Sequence, residues 1–152
     1  MNLENLLKAK ADKIISDSET ILEKSHIHQY DKVGKTTYHN YLKKIFTLTL
    51  QCIESKSLLP ISEYAEKIAK ERYEAGFDLY EVQHAINILE ETLWMAIIND
   101  LNPEEYEEAL RLTSTILGAG KEALAGTYVS LASNNKAPVR DIEALFKGTD
   151  GV

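Results

Sequence analysis

From Leu79 to Ala96 the apolar residues recur at alternating intervals of three and four: Leu79, Val82, Ile86, Leu89, Leu93 and Ala96. Residues at those intervals share one face of an α-helix, whereas a strand would scatter them over both of its faces. The stripe is a seam for a neighbouring helix. Trp94, Met95, Ile97 and Ile98 then make the last turns apolar almost all round. A helix end of that kind needs cover on two sides, either at the centre of a bundle or against a second subunit.

The rest of the chain supplies the partner helices. A first helix is expected from Leu3 to Ser25, capped by Asn2, with Leu3, Leu7, Ile14, Ile21 and Leu22 on one stripe and Leu6 and Ile15 widening it. His26 to Lys35 reads as a connection, after which Thr36 or Thr37 is expected to cap a second helix running to Ser55. Its inward face is Tyr38, Tyr41, Leu42, Ile45, Phe46, Thr49, Cys52 and Ile53. A third helix starts near Pro60, whose fixed φ suits a first helical position, and Gly76 stops it. Asp78 then caps the seam helix, with Glu81 placed to close a capping box. Asn102-Pro103-Glu104-Glu105 is the start signal of a fifth helix to about Ser133. Tyr106, Ala109, Leu110, Thr113, Ile116, Leu117, Gly120, Leu124, Thr127, Tyr128 and Leu131 lie on its stripe. Gly120 falls on that stripe, which predicts a close helix approach. Gly118 and Gly126 fall off it, which predicts a kink, a hinge or a second close contact. Asn134 to Pro138 reads as a break, followed by a short amphipathic helix with Val139, Ile142, Leu145 and Phe146.

The expected fold is therefore all-α: one bundle of five main helices over residues 1–133, then a linker, a short sixth helix and a tail over 134–152. An up-down bundle and a globin-like arrangement with steep crossings use the same periodicity, so both stay open.

Charge and cysteine content narrow the function classes. A net charge of −7 disfavours contact with nucleic-acid phosphates or an anionic membrane surface. Cys52 is the only cysteine, which excludes an internal disulfide and fits a reducing, cytoplasmic compartment; it reads as a small core residue. No apolar run approaches the ~20 residues of a membrane span.

Chemistry-bearing constellations are sparse. Ser114 and Thr115 have no neighbouring base, Glu90 and Glu91 point about 100° apart on a helix, and the Glu104-to-Glu108 cluster suits the positive end of a helix dipole. No phosphate loop, HExxH or GxSxG is present, so no enzyme is expected. His26 and His28, with Asp31 and His39 nearby, are the metal-site candidates, and the reading is of solvated histidines. His84, beside Tyr80 on the face opposite the seam, is the candidate for a haem or small-molecule site in a globin-like fold. A phosphoryl-accepting role for His84 fits poorly, because Asn87 and Ile88 stand where phosphotransfer domains carry lysine and glycine. No cofactor is expected in the main reading.

The stretch Arg72-Tyr73-Glu74-Ala75-Gly76-Phe77-Asp78-Leu79, continuing through Glu81-Val82, Ala85, Leu89 and Leu93-Trp94, resembles the RsbRD N-terminal domain family. These are helical input domains of RsbR-type stress regulators and of some sensor histidine kinases. The resemblance covers residues 5–133. It implies a non-enzymatic sensory or regulatory domain that acts on a STAS-type or kinase partner, and a globin-like fold without haem. No such output domain lies within residues 1–152, so a free-standing or excised input domain is expected. The over-apolar end of the fourth helix and the length of the fifth lead to the expectation of a homodimer. Its interface is expected at Trp94, Met95 and Ile98, or along Leu124, Tyr128 and Leu131.

Overall fold

Five α-helices and one 3₁₀ turn make up residues 1–25 and 34–136, the part of the chain that the computed structural model describes. They are α1 (Leu3–Lys24), α2 (Lys35–Ser55), α3 (Leu59–Glu74), α4 (Leu79–Asp100) and α5 (Tyr106–Lys136), with the 3₁₀ turn Pro103–Glu105 ahead of α5. No strand occurs among the described residues, and the fold is an all-α bundle. The proposed histidine pair at His26 and His28 and the tail helix from Val139 lie outside the described residues.

The seam of α4 is where the sequence places it. Val82, Ile86, Leu89 and Leu93 are buried, while Leu79 and Ala96 close the stripe half-buried. The helix packs between α1 and α5 and also touches α2. α4 and α5 run antiparallel along their length: the Tyr128 hydroxyl donates to the Phe77 carbonyl at one end (2.9 Å) and the Tyr106 hydroxyl to the Ile98 carbonyl at the other (2.8 Å). The most extensive packing joins α3 to α5. Gly120 allows it, since a Cβ there would stand 3.3 Å from Ile61 Cγ1.

The helix ends are settled by a few polar groups. Asn2 Oδ1 accepts the Asn5 N–H (2.9 Å) and opens α1. The expected threonine cap of α2 does not form, because the helix begins earlier, at Lys35, after Gly34 at φ +87°. α3 ends in a Schellman turn, with Gly76 at φ +87°, its N–H on the Tyr73 carbonyl (3.1 Å) and the Phe77 N–H on the Arg72 carbonyl (2.9 Å). At the start of α4, Glu81 Oε1 accepts the Asp78 N–H at a long 3.4 Å. Asn102 caps the next element with its carbonyl, which accepts the Glu105 N–H (2.9 Å), and not with its side chain. The Pro103–Glu105 segment thus winds as a 3₁₀ turn before the α-helix proper.

Two local features depart from the sequence reading. α1 contains a non-helical residue, Lys10 (φ −117°, ψ 17°), that joins two helical segments. α5 continues unbroken through Gly118 and Gly126 and passes Ser133 to reach Lys136. A Cβ on either glycine would meet nothing within 4 Å, so neither marks a second close contact among the described residues.

Candidate functional site

Opposite its buried seam, α4 carries a second stripe that stays largely exposed among the described residues. Tyr80, His84, Asn87, Glu91, Trp94 with Met95, and Ile98 follow one another at helical spacing. Tyr80 is 68% exposed, Met95 60%, Ile98 53% and Trp94 37%. The imidazole of His84 stacks on the Tyr80 ring (5.4 Å between centroids, 28° between planes). Along one margin of this face a polar network ties α4 to α5. Lys121 Nζ reaches Glu90 Oε1 (3.2 Å) and Asn87 Oδ1 (3.0 Å), and Gln83 Nε2 donates to the Lys121 carbonyl (3.1 Å). The Glu90 side chain is nearly buried, so Lys121 is the partner that makes its charge tolerable there.

The expected dimer residues divide. Trp94, Met95 and Ile98 do face outward. Leu124 and Tyr128 do not: both are buried in the chain's own core, and Tyr128 is committed to the Phe77 carbonyl and to the edge of the Tyr73 ring (5.5 Å, 82°). Leu131 is half-buried. The expectation is corrected for Leu124 and Tyr128, whose surface is spent inside the chain. The physical reason is that one apolar stripe on a helix looks the same whether its cover is α3 and α4 or a second subunit. Val129, 63% exposed, lies off that stripe and was missed.

His84 and Tyr80 form a surface pair, and neither lines the cavities at the bundle end or over α2 and α3. No group of three or more His, Cys, Asp or Glu side chains is close enough to hold a metal among the described residues. His39 contacts the Glu19 carboxylate instead. Cys52 is buried, and burial pushes its thiol pKa up, with a hydrogen bond from the Ile61 backbone opposing the shift. Its place is that of a core thiol, with no lowered pKa to activate it.

The end where α3 turns into α4 holds an aromatic cluster that the sequence did not announce as a unit. The Arg72 guanidinium lies 5.1 Å from the Phe77 ring centroid and 5.7 Å from that of Tyr41. Tyr41 donates its hydroxyl to the Val82 carbonyl (3.1 Å) and meets Tyr38 edge-on (6.4 Å, 76°). Burial pushes the phenols of Tyr38 and Tyr128 up to about 12 and raises that of Tyr41 as well. For Tyr128 the Arg72 charge opposes the shift, and the carboxylates of Asp78 and Glu81 add to it. All of this is chemistry turned inward: it holds helices together and presents no reacting group.

At the opposite end a cavity of about 730 Å³ opens between the first residues of α1, the last turn of α2 and the first turns of α5. No helix among the described residues is long and apolar enough to cross a membrane. Compared with protein-family models, with curated proteins and with solved structures, the chain matches none.

Proposed function

We propose that this chain is a non-enzymatic regulatory interaction module that pairs with a second copy of itself through the outward face of α4. The observation that carries the reading is the second stripe of α4. Tyr80, Trp94, Met95 and Ile98 are large side chains left in water along one helix, beside a polar margin already organised by Lys121. A stripe at this spacing is what helix-to-helix recognition uses. The resemblance carried by Arg72 to Trp94 adds the context of a bacterial signalling input domain whose output partner is a STAS-type protein or a kinase. A small shift of packed helices would pass the signal, with Gly118 and Gly126 on α5 supplying compliance.

Sedimentation velocity over a concentration series tests the pairing. The wild type is expected to pass from monomer to dimer. The double variant Met95→Glu with Ile98→Glu is expected to stay monomeric with unchanged helicity, because both positions are solvent-facing within one chain. A wild type that remains monomeric at its highest soluble concentration would remove the dimer from the proposal.

A further inference from the structure

We infer that the cavity at the start of α1 is a binding site for a small amphipathic cation, with an apolar body inside and an organic ammonium at the mouth. Its volume of about 730 Å³ falls within the ~300–1,000 Å³ of small-molecule sites. The floor is aliphatic: Leu3, Cys52 and Ile116 are buried there, and Ile53 and Leu112 are half-buried. Ala109 offers only a methyl group to the wall, which leaves the space unfilled. An apolar chain seated there would leave water for a surface that already excludes it on the protein side.

The mouth selects the sign of charge. Glu4, Glu105 and Glu108 stand on the lining, with Lys56 as the cation among them. Glu4 is engaged by Lys8 (3.0 Å), which also reaches Glu54 (3.6 Å). Glu105 and Glu108 make no ion pair among the described residues. A ligand ammonium held at the rim by its own apolar tail would meet these two carboxylates beside a low-dielectric floor, where attraction exceeds that in open water. An anionic head would instead meet the carboxylates of Glu105 and Glu108 with Lys56 as the one cation on the lining, Glu4 being already paired with Lys8. The site shares no lining residue with the outward face of α4, so it stands apart from the pairing proposed above.

Octylammonium, octyl sulfate and octyl glucoside, each below its micelle threshold, are the probes. Thermal shift and isothermal titration calorimetry are the readouts. Octylammonium is expected to raise the melting temperature and to give a binding isotherm, and octyl sulfate to do neither. Glu105→Gln with Glu108→Gln should weaken octylammonium by roughly five- to tenfold, the worth of two partly exposed ion pairs, and leave octyl glucoside unchanged. Leu112→Trp, which fills the space, should abolish both effects. Leu58→Trp, placed at an exposed part of the rim, does the same job should the first variant fold poorly. Equal responses to octylammonium and octyl sulfate would overturn the inference. So would a response that survives both tryptophan variants, or no response to any probe.

Discussion

The junction of α3 with α4 and the junction of α2 with α3 use one backbone device in two different settings. Each ends a helix on a residue in the left-handed region, Gly76 at φ +87° in one and Lys56 at φ +54° in the other. In each, the next residue's N–H returns to the helix: Phe77 to the Arg72 carbonyl (2.9 Å) and Ser57 to the Cys52 carbonyl (3.3 Å). The two junctions part at the side chains after the turn. Phe77 is apolar and buried, and it packs under the Arg72 guanidinium, while Tyr41 and Tyr128 bond to carbonyls of the incoming chain. Ser57 is polar, Leu58 after it stays 42% exposed on the lining of the end cavity, and Leu59 stays 63% exposed. A left-handed turn therefore stops a helix without deciding whether the junction closes. Closure comes from the hydrophobic contact that accompanies the turn. The bundle is sealed by aromatic volume at one end and open at the other, and local opening is expected to be cheaper at the open end.

Truncation at matched wall positions puts the largest strain on this contrast. Tyr41→Ala removes a buried ring from contact with Tyr38, Tyr64 and Arg72 and deletes the hydroxyl bond to the Val82 carbonyl. A loss of ~3–5 kcal/mol is expected, as for other buried aromatic truncations. Leu112→Ala at the open end enlarges a space that is already there and should cost only about 1 kcal/mol. Urea unfolding of the two variants measures both. Comparable losses would mean that the open end is packed as firmly as the sealed one.

Much of the fold was legible in the residues and some was not. The period of Leu79 to Ala96 dictates a helix and its inward face, and Gly76 with Asp78 dictates where α3 stops and α4 starts, because each of these signals is local. The cavity was not legible, since it arises where Leu3, Cys52 and Ala109, far apart in sequence, fail to fill a common space. The role of Arg72 was hidden for a similar reason: a basic residue near a helix end reads as a dipole partner, and only the fold brings Tyr41 and Phe77 to either side of it. Leu124 and Tyr128 failed as outward residues because periodicity identifies a face and not its cover. The left-handed Lys56 carried no signal at all, lysine having no preference for that conformation.

Alkaline pH sharpens the comparison from the sealed side. The phenols of Tyr38 and Tyr128 sit near 12 in the folded chain against an ordinary value of 10. A pKa raised on folding contributes stability that is complete below about pH 10 and is lost as pH rises towards 12, because the unfolded chain gives up protons that the folded chain retains. Tyr128→Phe keeps the ring against Tyr73 and deletes the hydroxyl on Phe77. At neutral pH it should cost about 1–2 kcal/mol for the lost hydrogen bond and orphaned acceptor. Above pH 10 it has one fewer phenol to lose. Chemical denaturation at pH 8 and pH 11 is thus expected to show the wild type's advantage shrinking. Parallel losses in the two proteins would mean that the Tyr128 phenol does not stabilise the sealed end by remaining protonated.

The smallest effect addresses the shared turn itself. A side chain in the left-handed region costs roughly 1–2 kcal/mol, and glycine escapes that cost while adding freedom to the unfolded chain. The first effect outweighs the second where nothing else holds the side chain, so Lys56→Gly should stabilise the protein by up to about 1 kcal/mol. Gly76→Ala should destabilise it by about the same amount, even though a Cβ at Gly76 would meet nothing within 4 Å, because the strain lies in φ and not in crowding. Opposite signs in urea unfolding would show that the two junctions share one backbone device and differ only in what packs around it. A destabilising Lys56→Gly would instead mean that the contacts of the lysine side chain on the cavity wall outweigh the strain of its φ. The openness of that end would then rest on Lys56 as well as on the missing aromatic volume.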